Sequence, residues 1–248
     1  MKEGINEMED LEKYDVVYFV KDNTENEELT YSIRSVVKNF PYRRIIIYGT
    51  QPKNLQVDKY YHIVQSGWTK WDRVQKMVIK ACMNNNLTEY IWLFNDDFYV
   101  TRPVTEYCYY TNGKLSAIIK NFVKRFGYET AYVRMLKHTA GVLKKNGLTT
   151  DSFATHTPML INRKHFLECM EKMPGVRGFR NLYGNYEQCT YKLPYPLVKE
   201  KDIKVRDENE EIRSSIPFLS SSDKTFETNE KLRRFLFETF KDKTKYER

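Results

Sequence analysis

Asn95, Asp96 and Asp97 are the residues whose types and position most directly indicate chemistry. They follow the apolar run 91–94, and a second apolar run, 98–100, begins directly after them. Two carboxylates this close at the end of a buried strand repel each other unless a positive group lies beside them. Mg²⁺ or Mn²⁺ meets that need, since it typically binds one or two carboxylates together with substrate phosphates. The pattern therefore predicts a metal site, and a solvated turn capped by Asp96 is the alternative.

The elements that must position this triplet follow from hydrophobic periodicity. In the first half the pattern predicts, in order, a strand at 15–20, a helix over 26–40, a strand at 43–49, a short strand at 62–64, a helix at 71–82 and a strand at 91–94. This alternation is typical of a mostly parallel sheet covered by helices. In such sheets ligands bind at the carboxyl ends of the strands, where the triplet lies. Because side chains alternate along an extended chain, we expect Asn95 and Asp97 to share a face and Asp96 to point away.

The second half is less regular. Its patterns predict helices near 115–126 and 130–145, a short strand and a helix within 158–172, a late strand within 216–223, and a closing helix over 227–240. The first 13 residues are polar and acidic, and we expect them to be flexible. One α/β domain over 14–248 is the simplest organisation.

Composition limits the class of protein. The 248 residues are 41% hydrophobic and carry a net charge of +8, which favours anionic partners such as nucleotides, nucleic acid, glycans or lipids. The four cysteines form no C-x-x-C pair, so a zinc site is not expected, and Cys82 and Cys169 are predicted to be buried thiols. No apolar run approaches the ~20 residues of a membrane span. We expect a soluble protein of a reducing, cytoplasmic compartment.

Several blocks of the sequence resemble a known family. They are YDVVYFVKD, EELTYSIRSVVKNFP, RIIIYGTQP, EYIWLFNDDFYV and THTPM. Similar blocks occur in the same order in the Stealth-type sugar-phosphate transferases. Over its whole length the chain looks still more like short phage-encoded glycosyltransferase-like proteins. The resemblance is strongest over residues 14–105 and patchier beyond.

The resemblance implies a GT-A-like (Rossmann-like) fold that binds a nucleotide-sugar. Residues 14–105 would form the nucleotide-sugar-binding half, and 106–248 the acceptor-side half. In that fold an Asp-x-Asp-type motif holds Mn²⁺ or Mg²⁺ on the nucleotide diphosphate. The first position of the motif is Asn95 here. Asp97 is therefore expected to contact the metal, with Asp96 supporting it or touching the ribose.

The resemblance also suggests donor-side candidates. Lys21 and Asp22 end the first strand and would meet the base or ribose, unless they form an ordinary exposed loop. Arg34 could steady the acidic cluster or a diphosphate, or could be a surface arginine. Lys70 follows Trp68 near a helix start, which favours anions.

Three residues of the second half are acceptor-side candidates. His156, in the THTP run, could be a third metal ligand or a general base. Glu187 or Asp151 could be the carboxylate that takes the acceptor hydroxyl proton in an inverting transfer, and the sequence does not decide between them. The alternative for His156 is a loop histidine with a structural role.

These features predict a metal-dependent glycosyltransferase that uses a nucleoside-diphosphate sugar, most simply a UDP-sugar. The leading acceptor is a 5-hydroxymethylated pyrimidine in phage DNA, which would place the protein in the host cytoplasm. One alternative is a Stealth-like sugar-1-phosphate transferase in surface polysaccharide synthesis. Another is a non-catalytic module that binds nucleotide-sugars or nucleic acid, which Asn95 in the first motif position would support.

Overall fold

The centre of the structure, a computed structural model, is a five-stranded sheet. The structure describes residues 11–22, 25–67, 69–189, 191–192 and 217–248, without the side chains of 191, 192 and 223. The strands are β1 (Asp15–Val20), β2 (Ile45–Gly49), β3 (Lys59–His62), β4 (Tyr90–Phe94), β5 (Phe98–Val100), β6 (Tyr109–Tyr110), β7 (Met159–Asn162), β8 (Tyr191–Lys192) and β9 (Phe218–Ser220). The central order is β3-β2-β1-β4-β7, in which only β7 is antiparallel to its neighbour. The prediction of a mostly parallel sheet is confirmed.

Helices cover both faces of this sheet and build the second half. They are α1 (Glu27–Asn39), α2 (Lys70–Cys82), α3 (Leu115–Phe126), α4 (Ala131–Lys145), α5 (Arg163–Lys172), α6 (Phe179–Tyr186), α7 (Asp223–Thr228) and α8 (Glu230–Thr239). The two helices of the first half begin at side-chain caps, because Asn26 accepts a hydrogen bond from the Leu29 amide and Thr69 forms a capping box with Asp72.

Alternate residues of each strand are buried on opposite faces of the sheet. On one face Val16, Tyr18 and Val20 of β1 belong to a core cluster that includes α1. On the other face Val17 and Phe19 belong to a cluster that includes α2 and part of α5. Every residue of β1 is buried, and residues 16–20 of the strand form an uninterrupted apolar run in the sequence.

Another core cluster lies among α3, α4, α5 and α6. Its buried members are Leu115, Leu136, Leu143, Cys169, Met173, Val176 and Leu182. The predicted burial of Cys82 and Cys169 is confirmed.

Among the described residues, no helix is both long enough and apolar enough to cross a bilayer.

Three predictions about local structure need correction or a limit. The third strand is Lys59–His62 rather than 62–64, because its pairing with β2 places Lys59 opposite Ile46. No element is predicted over residues 179–186, where the structure forms helix α6. Residues 1–10 and 193–216, including the lysine- and arginine-rich stretch 199–206, lie outside the described residues. The expected flexibility of residues 1–13 does not extend to Leu11, which is fully buried in the core.

Candidate functional site

The candidate site lies where the order of the parallel strands reverses direction. From β1 the chain proceeds outward to β2 and β3, then returns to form β4 on the other side of β1. Tyr18 of β1 pairs with Phe94 of β4, so both strands leave the sheet at the same edge. A crevice at such a switch point is the usual ligand site of an open parallel sheet. Lys21 and Asp22 follow β1 there, and Asn95 to Asp97 follow β4.

The acidic triplet forms a tight turn and not an extended strand end. The amide of Phe98 donates to the carbonyl of Asn95 at 3.3 Å. After the turn β5 leaves the central sheet and pairs with β9. The expected alternation, with Asn95 and Asp97 on one face, is therefore wrong, because the geometry of a turn replaces that of a strand over these residues.

Asp97 carries a buried carboxylate oxygen with no hydrogen-bond partner. That atom is Oδ1, and it is one of four such buried side-chain atoms among the described residues. Burial, and then the carboxylates of Asp96 and Glu28, raise the pKa of Asp97 well above its ordinary value. Arg180 opposes this shift without cancelling it. An unpaired acceptor of this kind costs stability, and a cation bound at Oδ1 would offset that cost.

Asp96 is held beside the start of α1. Its Oδ2 accepts a hydrogen bond from Asn26 Nδ2 at 2.7 Å, and Asn26 caps α1 with its other side-chain atom, Oδ1. The same residue therefore begins the helix and orients a carboxylate of the turn. The sequence shows the N-cap, but it does not show the contact with Asp96, which lies 70 residues away.

Glu28 is a third carboxylate of this region that the sequence analysis missed. It is 6% exposed, and Ser221 Oγ donates to its Oε1 at 2.6 Å. Ser221 also lies 2.9 Å from the hydroxyl of Tyr99, and its amide donates to the carbonyl of Asp97. This network fixes the acidic turn against α1 and the strand β9.

Arg180 supplies positive charge from the second half of the chain. Its guanidinium lies 5.5 Å from the ring centroid of Phe98, the residue after the turn, and donates to the carbonyl of Thr157. Burial lowers the pKa of Arg180 to about 10, although Tyr107 and Asp97 favour its charged form. The sequence gives no signal for this residue, because 83 positions separate it from Asp97.

His156 also lies beside Phe98, the residue that follows the turn. Its ring centroid is 6.4 Å from that of Phe98, and its side chain is exposed. Its φ of 54° is one of two positive values among the described non-glycine residues. Such left-handed backbone is uncommon and concentrates at functional positions. Of the predicted acceptor-side residues, His156 is the one that these contacts bring beside the acidic turn.

The donor-side candidates Lys21 and Asp22 are exposed at the switch point. Asp22 accepts hydrogen bonds from Thr50, at the end of β2, and from Gln65, which follows β3. Three strand ends therefore meet around one carboxylate. Lys70 lies at the N-terminal end of α2 and its Nζ is 5.9 Å from the ring centroid of Trp71. Trp68 lies outside the described residues.

Arg34 takes part in a structural ion pair. Its Nε and Nη2 donate to the two carboxylate oxygens of Glu247 at 2.9 and 2.6 Å, and Nη1 donates to the carbonyl of Phe240. The side chains are only 12% and 6% exposed. This geometry ties the end of the chain to α1, which is a structural role that the sequence analysis did not consider for Arg34.

We expect Arg34→Met to destabilise the fold by roughly 2–3 kcal/mol, because it leaves the buried Glu247 carboxylate unpaired. In the double variant with Glu247→Gln, most of that loss should be recovered, since the glutamine is neutral and can still accept from the Thr244 amide. Urea denaturation of the wild type, both single variants and the double variant measures the coupling. An unchanged midpoint for Arg34→Met would leave Arg34 available to an anionic ligand.

Asp151 and Glu187 make contacts within the second half. Asp151 is 3% exposed, lies 2.9 Å from Lys114 Nζ, and is bracketed by Asn185, which hydrogen-bonds both its amide and its carbonyl. A carboxylate oxygen of Glu187 lies 3.1 Å from Nδ1 of His165. These contacts hold both residues to α3, α5 and α6, and their roles as a base stay predictions.

A divalent cation fits the donor set of the turn. Among the residues the structure describes, no group of three or more His, Cys, Asp or Glu side chains is arranged to hold a metal. Asp96 and Asp97 provide two carboxylates, and Asp97 Oδ1 has no other partner. Hard oxygen ligands of this number suit Mg²⁺ or Mn²⁺ when substrate phosphates complete the coordination.

Comparison with known proteins adds no family. No protein-family model matches the chain, and no curated protein matches it. The functional assignment therefore depends on the residues and their arrangement.

Proposed function

We propose that this protein is a metal-dependent glycosyltransferase with a GT-A-like fold that uses a nucleoside-diphosphate sugar, most simply a UDP-sugar. The observation that carries the proposal is the buried, unpartnered oxygen of Asp97 in an acidic turn at the switch point of a parallel sheet. A cation bound there would neutralise the carboxylates and the charge that develops on a departing diphosphate.

The surrounding residues suit the parts of such a donor. Asp97 and Asp96 would hold the cation, and Asn26 would fix the orientation of Asp96. Lys21, Asp22 and Lys70 would meet the nucleotide, because they lie at the strand ends or at the start of α2. The positive charge of Arg180 would offset the negative charge of the acidic turn when no cation is bound. Arg180 would also lie close to the transferred group.

We propose that the acceptor binds beside Phe98 and His156, next to the acidic turn. His156, whose ring centroid lies 6.4 Å from that of Phe98, is the candidate there and would accept a proton from an acceptor hydroxyl. A 5-hydroxymethylated pyrimidine in DNA is the first acceptor to examine, since the sequence resembles phage-encoded glycosyltransferase-like proteins. Such a base would have to leave the duplex stack to reach the site.

A mass-spectrometric donor screen tests the function. UDP-glucose, UDP-N-acetylglucosamine and related donors are incubated with and without Mn²⁺, using plain DNA, 5-hydroxymethylated DNA and a glycan panel as acceptors. We expect a sugar mass on an acceptor only when metal is present. Asp96→Ala/Asp97→Ala should lose it, while the exposed pair Glu238→Ala/Asp242→Ala should keep it.

Other products would assign other functions. A phosphodiester-linked sugar would indicate the sugar-1-phosphate transferase. Nucleotide-sugar binding without turnover, even with Mn²⁺, would indicate a binding module. Full transfer by the Asp96→Ala/Asp97→Ala variant would refute the role of the turn.

A further inference from the structure

The hairpin formed by α3, α4 and the loop 127–130 carries most of the net charge of the protein. Residues 115–145 contain seven Lys and Arg but only one acidic residue, Glu129, so the hairpin has a net charge of +6, against +8 for the whole chain. The lysines and arginines of the two helices are Lys120, Lys124, Arg125, Arg134, Lys137, Lys144 and Lys145, and all are exposed.

The same hairpin leaves an apolar helix face partly uncovered. Of the residues of α3, only Leu115 is buried, although the helix also contains Ile118, Ile119, Phe122, Val123 and Phe126. At the tip of the hairpin Val123, Phe126 and Tyr128 are 36%, 43% and 64% exposed. They account for three of the eight large apolar side chains that are exposed among the described residues. The apolar face and the positive charge therefore occur on one element.

Aromatic rings fix the shape of this tip. Phe122 packs against Phe126 and Tyr132 with centroid distances of 5.9 and 5.0 Å, and Tyr132 stacks on Trp71 of α2. The tip is therefore braced against the body of the protein while Phe126 and Tyr128 project from it. Gly127, with a φ of 74°, ends α3 and allows the chain to turn between these two residues.

We infer that the hairpin docks the protein on an anionic lipid bilayer, with Val123, Phe126 and Tyr128 at the level of the headgroups and acyl chains. Amphipathic helices with Lys and Arg beside an aromatic and aliphatic face bind in this manner. Each basic residue near an anionic leaflet strengthens binding by about fivefold. The inference stands on the hairpin and does not depend on the proposed transferase activity.

The charge and the apolar tip together favour a bilayer over two other partners. A DNA duplex would use the lysines and arginines but would gain little from covering Val123 and Phe126, because its surface is a polar phosphate backbone. A second copy docked through the same surface would bring one hairpin of net charge +6 against another. A bilayer of anionic lipid satisfies both features.

Cosedimentation with vesicles tests the inference. The wild-type protein should bind vesicles of phosphatidylcholine with phosphatidylglycerol, bind phosphatidylcholine alone weakly, and lose affinity as salt rises. Lys120→Gln/Lys124→Gln should weaken binding by about 25-fold, at about fivefold for each lysine. Phe126→Ser/Tyr128→Ser should weaken it by roughly tenfold or more.

Matched variants elsewhere on the surface are the controls. Lys231→Gln/Lys241→Gln removes two exposed lysines, and Phe237→Ser removes an exposed phenylalanine, both outside the hairpin. These variants should bind vesicles like the wild type, and all variants should melt at similar temperatures because the changed side chains are exposed.

Three outcomes would overturn the inference. The first is that the wild type binds neither kind of vesicle. The second is that Phe126→Ser/Tyr128→Ser keeps full lipid binding. If the lysine variant also keeps its lipid binding but loses retention on DNA, the hairpin is a nucleic-acid surface. The third is a concentration-dependent dimer in analytical ultracentrifugation that Phe126→Ser/Tyr128→Ser abolishes. Vesicle binding that is lost in both hairpin variants would favour an acceptor presented at a membrane over one in DNA.

Discussion

Asp97→Asn should make the metal-free protein more stable while it abolishes sugar transfer. In the folded wild type the carboxylate is buried, lies beside the carboxylates of Asp96 and Glu28, and has an oxygen with no partner. A neutral amide removes the charge but keeps the size and shape of the side chain. The gain should be on the order of 1–3 kcal/mol, the cost of an unsatisfied buried group. A loss of transfer of about a thousandfold corresponds to several kcal/mol of charge stabilisation by the cation.

The pH dependence of this stability difference has a definite sign. Because the pKa of Asp97 is raised in the folded state, the folded protein binds the proton more tightly than the unfolded chain. The stability of the wild type should therefore fall as the pH rises above the ordinary carboxyl pKa of about 4. The advantage of Asp97→Asn should be largest at neutral pH and should shrink as the pH approaches 4.

Thermal melts from pH 4 to 8, with and without Mn²⁺, measure this prediction. The cation should raise the melting temperature of the wild type and leave that of Asp97→Asn unchanged, because ligand binding stabilises only a protein that binds it. The exposed Asp242→Asn is the matched control and should follow the wild type. A lower melting temperature for Asp97→Asn at neutral pH would show that the carboxylate supports the fold and would contradict the assignment of a cation to Asp97.

The sequence predicts the part of the site that depends on local pattern. Residues 16–20 of β1 and 91–94 of β4 are unbroken apolar runs, and the polar residues that follow them mark the predicted ligand-binding edge of the sheet. The turn at 95–97 is not predictable in this way, because apolar residues resume at Phe98 as they would in a continuing strand. What bends the chain there is the pairing of β5 with β9, whose strand lies about 120 positions further on.

Helix α6 shows why the structure of the second half is harder to predict from the sequence. Its residues Phe179–Tyr186 include a glycine and two asparagines, which are weak helix formers. Its buried Asn181 and Asn185 bind the backbone of 151–154, and a Cβ at Gly184 would lie 2.4 Å from the ring of Phe153. Tertiary packing therefore forms this helix and places Arg180 beside Phe98. Arg34 is a parallel case, since its partner Glu247 lies 213 positions away.

Gly49→Ala should be the most damaging single substitution for stability among those considered, with a loss of roughly 3–5 kcal/mol. Gly49 ends β2 with a φ of 123°, a conformation that side chains rarely adopt, and a Cβ there would lie 1.9 Å from the carbonyl oxygen of Val20. That contact is with backbone, so no side chain can rotate away. The glycine allows β1 and β2 to approach closely where their ends form one wall of the candidate site.

The same substitution should disturb the donor side of the site. The carbonyl of Val20 accepts a hydrogen bond from Gln65 at 2.8 Å and directly precedes Lys21 and Asp22. Moving this carbonyl would separate Asp22 from Thr50 and Gln65, so any variant that still folds should bind a nucleotide-sugar more weakly than the wild type. Isothermal titration calorimetry under conditions where the variant remains folded measures this effect.

Gly141→Ala is the control, because it makes the same glycine-to-alanine change at a position where the added methyl group has room. Gly141 lies within α4, where an added Cβ meets nothing within 4 Å. Alanine in an exposed helix interior stabilises by about 0.5–1 kcal/mol relative to glycine. Urea denaturation should therefore shift in opposite directions for the two glycine-to-alanine variants. Equal midpoints would mean that β1 and β2 can separate at this edge without cost, and the tight junction that we assign to the switch point would be wrong.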